Sequence, residues 1–268
     1  MQNELNIVGI QADLVWENPS KNLAFFEEKI NALSKNTDLV VLPEMFTSGF
    51  TMNTEKVAEK MDGNSVSWML KMAMKKNVAI CGSLVISERP FDCAQGDKIF
   101  YNRLVFVHPS GKIETYNKRH SFTLAGEDKT YTSGTEKLIV HYKGWKICPL
   151  ICYDLRFPVW ARNTENYDLL IFMANWPVTR IKAWDTLLKA RAIENMTYVI
   201  GVNRTGKDAN NYAYSGNSLV IDFFGEELSN LKKNEVGIVK ATLLKSEQNR
   251  IREKMGFLND RDSFLFTE

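Results

Sequence analysis

Apolar runs of strand length alternate with stretches of helical periodicity along most of this chain, and twice two such runs are joined by a tight turn. LNIVGIQA reads as a strand, and residues 18–34 follow with Leu23, Phe26, Ile30 and Leu33 at helical spacing behind the Asn18-Pro19 start signal. DLVVLPEM is a short apolar run stopped by Pro43, the pattern of a buried strand. Residues 66–76 read as a second helix leading into the strand NVAICGSLVIS. Two hairpins follow: YNRLVFV and KIETYNK flank His108-Pro109-Ser110-Gly111, and LIVHY and WKICPLIC flank Lys143-Gly144. Alternation then resumes with a helix over 158–165, the strand DLLIFMA, a helix over 183–195 and the strand TYVIGVN. SGNSLVIDF and GIVKATL are two more strands, and a charged helical tail starts near Ser246. Strand–helix alternation mixed with hairpins demands a mixed sheet, and apolar content on both faces predicts two stacked sheets covered by helices.

No linker, low-complexity tract or fixed-period repeat divides the sequence, and 268 residues are within reach of one large α/β domain. The loop over 89–98 reads as an exposed insertion on a hairpin. Basic residues number 34 and acidic ones 32, so the net charge of +2 gives a nucleic-acid or anionic-membrane role no bulk support. No apolar window is long enough to span a membrane, and the N-terminus lacks signal-peptide architecture. The expectation is a cytoplasmic enzyme with reduced thiols. Cys81, Cys93, Cys148 and Cys152 form neither a disulfide framework nor CxxC pairs, and His108, His120 and His141 stand at no zinc-ligand spacing, so no metal is expected.

Three segments bring a polar residue to the end of an apolar run. In Val40-Val41-Leu42-Pro43-Glu44 the strand delivers a carboxylate to its C-terminal edge, where α/β sheets carry their sites. Taken alone, Glu44 is an ordinary solvated loop acid. Lys118, in Thr115-Tyr116-Asn117-Lys118-Arg119-His120, is by itself an ordinary surface charge. Cys152 ends a strand and precedes a turn into a helix near Pro158, a setting that can favour thiolate and expose sulfur to substrate. Cys148 and Cys81 read as buried structural thiols, and Cys93 as an incidental exposed one. A cysteine nucleophile needs a base and an oxyanion partner. The histidines are poor bases by position, but a carboxylate base with a lysine helper serves if Glu44, Lys118 and Cys152 converge.

LPE at a strand end, then YNKRH, then CYDLRFP, in that order, resembles the nitrilase (carbon–nitrogen hydrolase) superfamily, over residues 5–244. The resemblance implies an α/β chain of α+β type: a four-layer αββα sandwich with two mixed β-sheets flanked by helices. It implies no cofactor. It also implies Glu44 as general base, Lys118 as oxyanion support, Cys152 as nucleophile and Glu127 as a second glutamate; a backbone N–H after the nucleophile, that of Tyr153, is the expected further oxyanion donor. On this division, residues 1–245 form the hydrolase domain, and residues 246–268 are a tail packing on it or on a partner subunit.

PEMFTSGF, KRHSFTLAGE and CYDLRFPVWAR look closest to the omega-amidase branch, which hydrolyses the terminal amide of 2-oxoacid amides such as 2-oxoglutaramate and 2-oxosuccinamate; Ser121 stands where that branch is expected to carry leucine. A substrate carboxylate needs a cation, and Arg156 can supply a bidentate partner; paired with Asp154 or Glu165 it is instead a helix-start arginine. Phe122, Phe46, Trp176 and Tyr153 are candidate aromatic walls. The same three reactive residues serve N-carbamoyl amino acid amidohydrolases, other aliphatic amidases and nitrilases, so the motifs leave the substrate open. A non-catalytic binding protein has no need to retain all three. A thiol sensor using Cys148 and Cys152 meets a spacing of roughly 13 Å along an extended strand, beyond disulfide reach. The expected partners are a small-molecule amide and water. The apolar residues Phe257, Leu258, Phe264, Leu265 and Phe266 of the tail look able to pack on a neighbour, and the resemblance implies a homodimer or larger homo-oligomer.

Overall fold

The computed structural model describes residues 3–89 and 98–266. Cys93 and all but the two ends of the expected loop over 89–98 lie outside the described residues. The chain opens with β1 (Glu4–Gln11), α1 (Pro19–Asn31) and β2 (Leu39–Val41). A single turn, α2 (Thr54–Val57), and then α3 (Asn64–Lys76) precede the long strand β3 (Ala79–Glu88). The two hairpins are β4 (Ile99–Val107) with β5 (Ile113–Asn117), and β6 (Val140–Tyr142) with β7 (Trp145–Ile151). One turn of helix, α4 (Pro158–Ala161), leads to β8 (Leu169–Ala174), α5 (Ile181–Glu194) and β9 (Tyr198–Asn203). Short strands β10 (Thr205–Lys207), β11 (Ala213–Ser215), β12 (Leu219–Ile221) and β13 (Glu227–Asn230) follow, then β14 (Gly237–Leu244) and α6 (Lys245–Met255).

These strands build two six-stranded mixed sheets, ordered β14-β1-β2-β3-β4-β5 and β13-β12-β9-β8-β7-β6. In the first, β1, β2 and β3 run parallel; in the second, β7, β8 and β9 do. The two-residue period sorts the core. Leu5, Ile7, Val41 and Phe106 of the first sheet join the strands of the second in one buried cluster. Val8, Ile10, Val40 and Ile80 point the other way, onto Phe26 and Ile30 of α1 and Met69 and Met72 of α3. Trp184 and Leu188 of α5 belong to the cluster of the second sheet. The four layers are therefore helices, sheet, sheet, helices: the αββα sandwich.

Gly9 sits on the inner face of β1, where an added Cβ would lie 2.6 Å from Val202 Cγ2 and 3.0 Å from Val239 Cγ2. The missing side chain lets the second sheet approach the first.

Two expected elements are shorter than their patterns. The helix expected over 158–165 stops at Ala161, because Arg162 is extended and Asn163 is fully buried in a turn. Asn163 accepts from Tyr167 N (2.8 Å), and its own N–H donates to Asn195 Oδ1 (2.8 Å). The local side-chain bond to Tyr167 N and the tertiary bond to Asn195 together outweigh helical propensity. SGNSLVIDF is not one strand: Ser215 ends β11 and Leu219–Ile221 forms β12, because Gly216 and Asn217 between them both have left-handed backbone (φ 75° and 60°). The tail folds back on the domain: Ile251 and Leu258 enter the core cluster, while Phe257 and Leu265 remain exposed.

Candidate active site

Four strands end at one rim of the sandwich and each hands over a polar residue. Glu44 lies beyond β2, Lys118 beyond β5, Cys152 beyond β7 and Asn175 beyond β8. All four line one cavity of about 560 Å³. Carboxylate, ammonium and thiol thus converge from segments far apart in the sequence.

Glu44 is fully buried, and each of its oxygens has partners. Oε1 accepts from Lys118 Nζ (2.9 Å) and Asn102 Nδ2 (2.8 Å); Oε2 accepts from the Asn175 N–H (2.9 Å). Asn175 Nδ2 donates to the Glu44 carbonyl at 2.6 Å, which fixes the loop after β2. Glu127 grips the other side of the ammonium, with Lys118 Nζ at 3.0 and 2.9 Å from its two oxygens. Its Oε2 also accepts from the Phe122 N–H at 2.6 Å. Asn102 Nδ2 reaches Glu127 Oε1 as well, at 3.2 Å, so one amide bridges both carboxylates.

Burial alone would lower the Lys118 pKa, but Glu127, Glu44 and Cys152 more than offset it and hold the ammonium well above the ordinary lysine range. Burial pushes the Glu127 carboxyl up, and the nearby Glu44 adds to this against the pull of Lys118. The Cys152 thiol is raised well above its usual value, first by burial and then by the charge of Glu44. Lys118 opposes that shift without cancelling it, and Glu44 is within hydrogen-bonding reach of the sulfhydryl.

Cys152 opens a 3-10 turn over Cys152–Arg156 with a left-handed backbone, φ 45°. For a residue with a Cβ this costs roughly 1–2 kcal/mol. It turns the sulfur out of the strand line and into the cavity. The first N–H groups of the turn, that of Tyr153 among them, have no carbonyl to bond within it.

Arg156 is exposed at the cavity wall, its guanidinium 5.1 Å from the Trp176 ring centroid. Both acids considered as its partners are engaged elsewhere: Asp154 with His120 and Glu165 with Lys137. Phe122, Tyr153 and Trp176 line the cavity, and the first two pack edge to face at 5.0 Å. Phe46 does not line it. The chain bends at Met45 (φ 44°) and sends the Phe46 ring beneath α1 and α3, onto Phe26 and Trp68. None of the three histidines lines the cavity.

Asn102 and Arg180 escape motif reading. Asn102 does carry a signal, being a polar residue on the same face of β4 as the buried Leu104 and Phe106. Arg180, in the cavity wall with its guanidinium 4.8 Å from the Phe122 ring centroid, carries none. Cys81 and Cys148 are fully buried; burial raises both thiols, Cys148 to about 12. Among the described residues no group of three His, Cys, Asp or Glu side chains is placed to hold a metal ion, and no helix is long and apolar enough to cross a membrane.

The model of the carbon-nitrogen hydrolase family matches residues 7–252. Omega-amidase YafV of Escherichia coli (strain K12) is 40% identical over 260 residues, covering 97% of this chain and 98% of that protein. The 2-oxoglutaramate amidase of Bacillus subtilis (strain 168) is 34% identical over 255 residues, covering 94% and 95%. Among solved structures, XC1258 from Xanthomonas campestris, a CN-hydrolase superfamily protein with an arsenic adduct in its active site, superposes with a TM-score of 0.92. It is 38% identical, with 99% of this chain and 100% of that one covered.

Proposed function

The chain belongs to the carbon–nitrogen hydrolase family and hydrolyses a carbon–nitrogen bond other than a peptide bond, and we propose that it cleaves a terminal amide through a thioester on Cys152, with Glu44 as base and Lys118 as oxyanion support. The observation that carries this reading is the contact of Lys118 Nζ with Glu44 at 2.9 Å in the cavity that Cys152 opens into. Glu44 takes the thiol proton as sulfur attacks the amide carbonyl carbon. The carbonyl oxygen becomes an oxyanion held by the Lys118 ammonium and the Tyr153 N–H. Glu44 then gives its proton to the departing nitrogen, the carbon–nitrogen bond breaks, and ammonia leaves. Water enters, loses a proton to Glu44 and attacks the thioester. The acid departs, and the sulfur regains its proton. Glu127 keeps the ammonium in place.

The substrate is an ω-amide of a 2-oxoacid, 2-oxoglutaramate or 2-oxosuccinamate. The names of the E. coli and B. subtilis relatives support this, as does Arg156, which has no carboxylate partner among the described residues. Arg156 takes the substrate carboxylate by a bidentate pair, with Phe122 and Trp176 as walls. The protein works as a homodimer or larger homo-oligomer in the cytoplasm; the exposed Phe257 and Leu265 of the tail support the association. The test is ammonia release by purified Cys152→Ala from 2-oxoglutaramate, carbamoyl-β-alanine, simple amides and nitriles. Turnover is expected to vanish with the circular dichroism spectrum unchanged, and ammonia at the wild-type rate would end the scheme. For the wild-type enzyme, 2-oxoglutaramate is expected to lead the panel.

A further inference from the structure

Asp154, two residues after the sulfur, is fully buried and accepts four hydrogen bonds. Oδ2 receives the Ile151 N–H (3.1 Å) and the Tyr116 hydroxyl (2.8 Å). Oδ1 receives the His120 N–H (3.1 Å) and His120 Nδ1 (2.8 Å). A carboxylate only accepts, so Nδ1 carries the proton. Ile151 is the last residue of β7 before Cys152, whereas Tyr116 and His120 bracket Lys118 at the end of β5. β5 is the edge strand of one sheet and β7 lies inside the other. No strand ladder joins them, so the spacing of thiol and ammonium has to be set by side chains.

We propose that Asp154 and His120 form a positioning clamp that fixes the Lys118 segment against the Cys152 turn; this rests on the reading of Lys118 and Cys152 as oxyanion support and nucleophile. His120 is the part of the clamp that a substitution can address. Its ring stacks on Phe157 from the same turn, with centroids 3.6 Å apart and planes within 5°. Tyr116 closes the network from beneath: its hydroxyl donates to Asp154 while accepting from Trp160 Nε1 (3.0 Å) and the Arg119 N–H (3.1 Å). The Asp154 hydrogen bond to the Ile151 N–H also braces the turn in which Cys152 is left-handed. His120 touches no cavity surface, so it acts through the residues it holds.

The test compares His120→Asn with His120→Gln and His120→Ala, scored by kcat, KM and melting temperature on 2-oxoglutaramate. Asparagine can place an amide N–H where Nδ1 stands, whereas glutamine carries its amide one carbon farther out and alanine has no donor. Expected is a kcat for His120→Asn within about threefold of wild type, and a fall of about tenfold for the Gln and Ala variants with KM little changed. Equal kcat for the Asn and Gln variants, or a loss confined to KM, would overturn the clamp. Should His120→Ala fail to fold, the Asn–Gln contrast still decides. Cys152→Ala in the same assay reports separately on the nucleophile: if it retains turnover, the underlying reading has failed, not the clamp alone.

Discussion

A thiol raised by burial and by a neighbouring carboxylate is not a resting thiolate, so in the proposed scheme Cys152 loses its proton to Glu44 as substrate arrives. This gives a sign for its reaction with a small alkylating agent. Iodoacetamide inactivation of the free enzyme is expected to keep rising with pH through 9 rather than level off near neutrality, because the thiolate fraction grows only as pH approaches the raised pKa. A plateau below pH 7 would show a preformed thiolate and remove the need for Glu44 as base. Lys118 is the second residue with a defined outcome. Its ammonium meets Glu44 and both oxygens of Glu127, so Lys118→Met leaves two buried carboxylates facing each other and, in the proposed scheme, removes an oxyanion partner. The expected fall in kcat is about 10²–10³, the cost typical of one lost oxyanion donor, measured by ammonia release with folding checked by circular dichroism.

At the scale of the element, ordinary strands and turns carry special residues only at their ends. The alternation rule places inner and outer faces on β1, and at Gly9 on the inner face side-chain volume is given up so that the two sheets can meet. Gly9→Val is expected to overpack that contact and cost about 1–3 kcal/mol. Urea unfolding should show this as a lower midpoint at unchanged slope, with activity per folded molecule preserved. Elements with a strong local period were legible: β1, α1, α3, α5 and the hairpin strands follow from where apolar residues repeat. α4 is shorter than its pattern because Asn163 is held by hydrogen bonds to Asn195, 32 residues away in the sequence, which no local period records. α2, β10, β11 and β13 span three or four residues each, too short for a period to show.

The molecule as a whole keeps its reactive groups at one rim by letting two sheets of similar plan meet face to face. Its tail is only partly absorbed: Ile251 and Leu258 enter the core, while Phe257 is 58% and Leu265 93% exposed. Leaving two large apolar side chains in water suits a chain whose tail is covered by a second copy. Light scattering at micromolar concentration is expected to report a mass of at least twice 30.7 kDa, and Phe257→Ser with Leu265→Ser should shift it toward the monomer. A wild-type monomer would contradict the association.

From residue order alone came the layered α/β plan, the family resemblance, and the reactive types at three strand ends, since periodicity and short motifs are local properties of a chain. Tertiary structure alone decided which neighbours those groups meet. Asn102 bridging Glu44 and Glu127, Asp154 tied to His120, Arg156 left without an acid among the described residues, and Phe46 turned into the core all depend on segments that become adjacent only when two sheets stack. The physical reason is that hydrogen bonds and charge interactions act over a few ångströms in space, and no pattern along the sequence records a distance between strands that never pair.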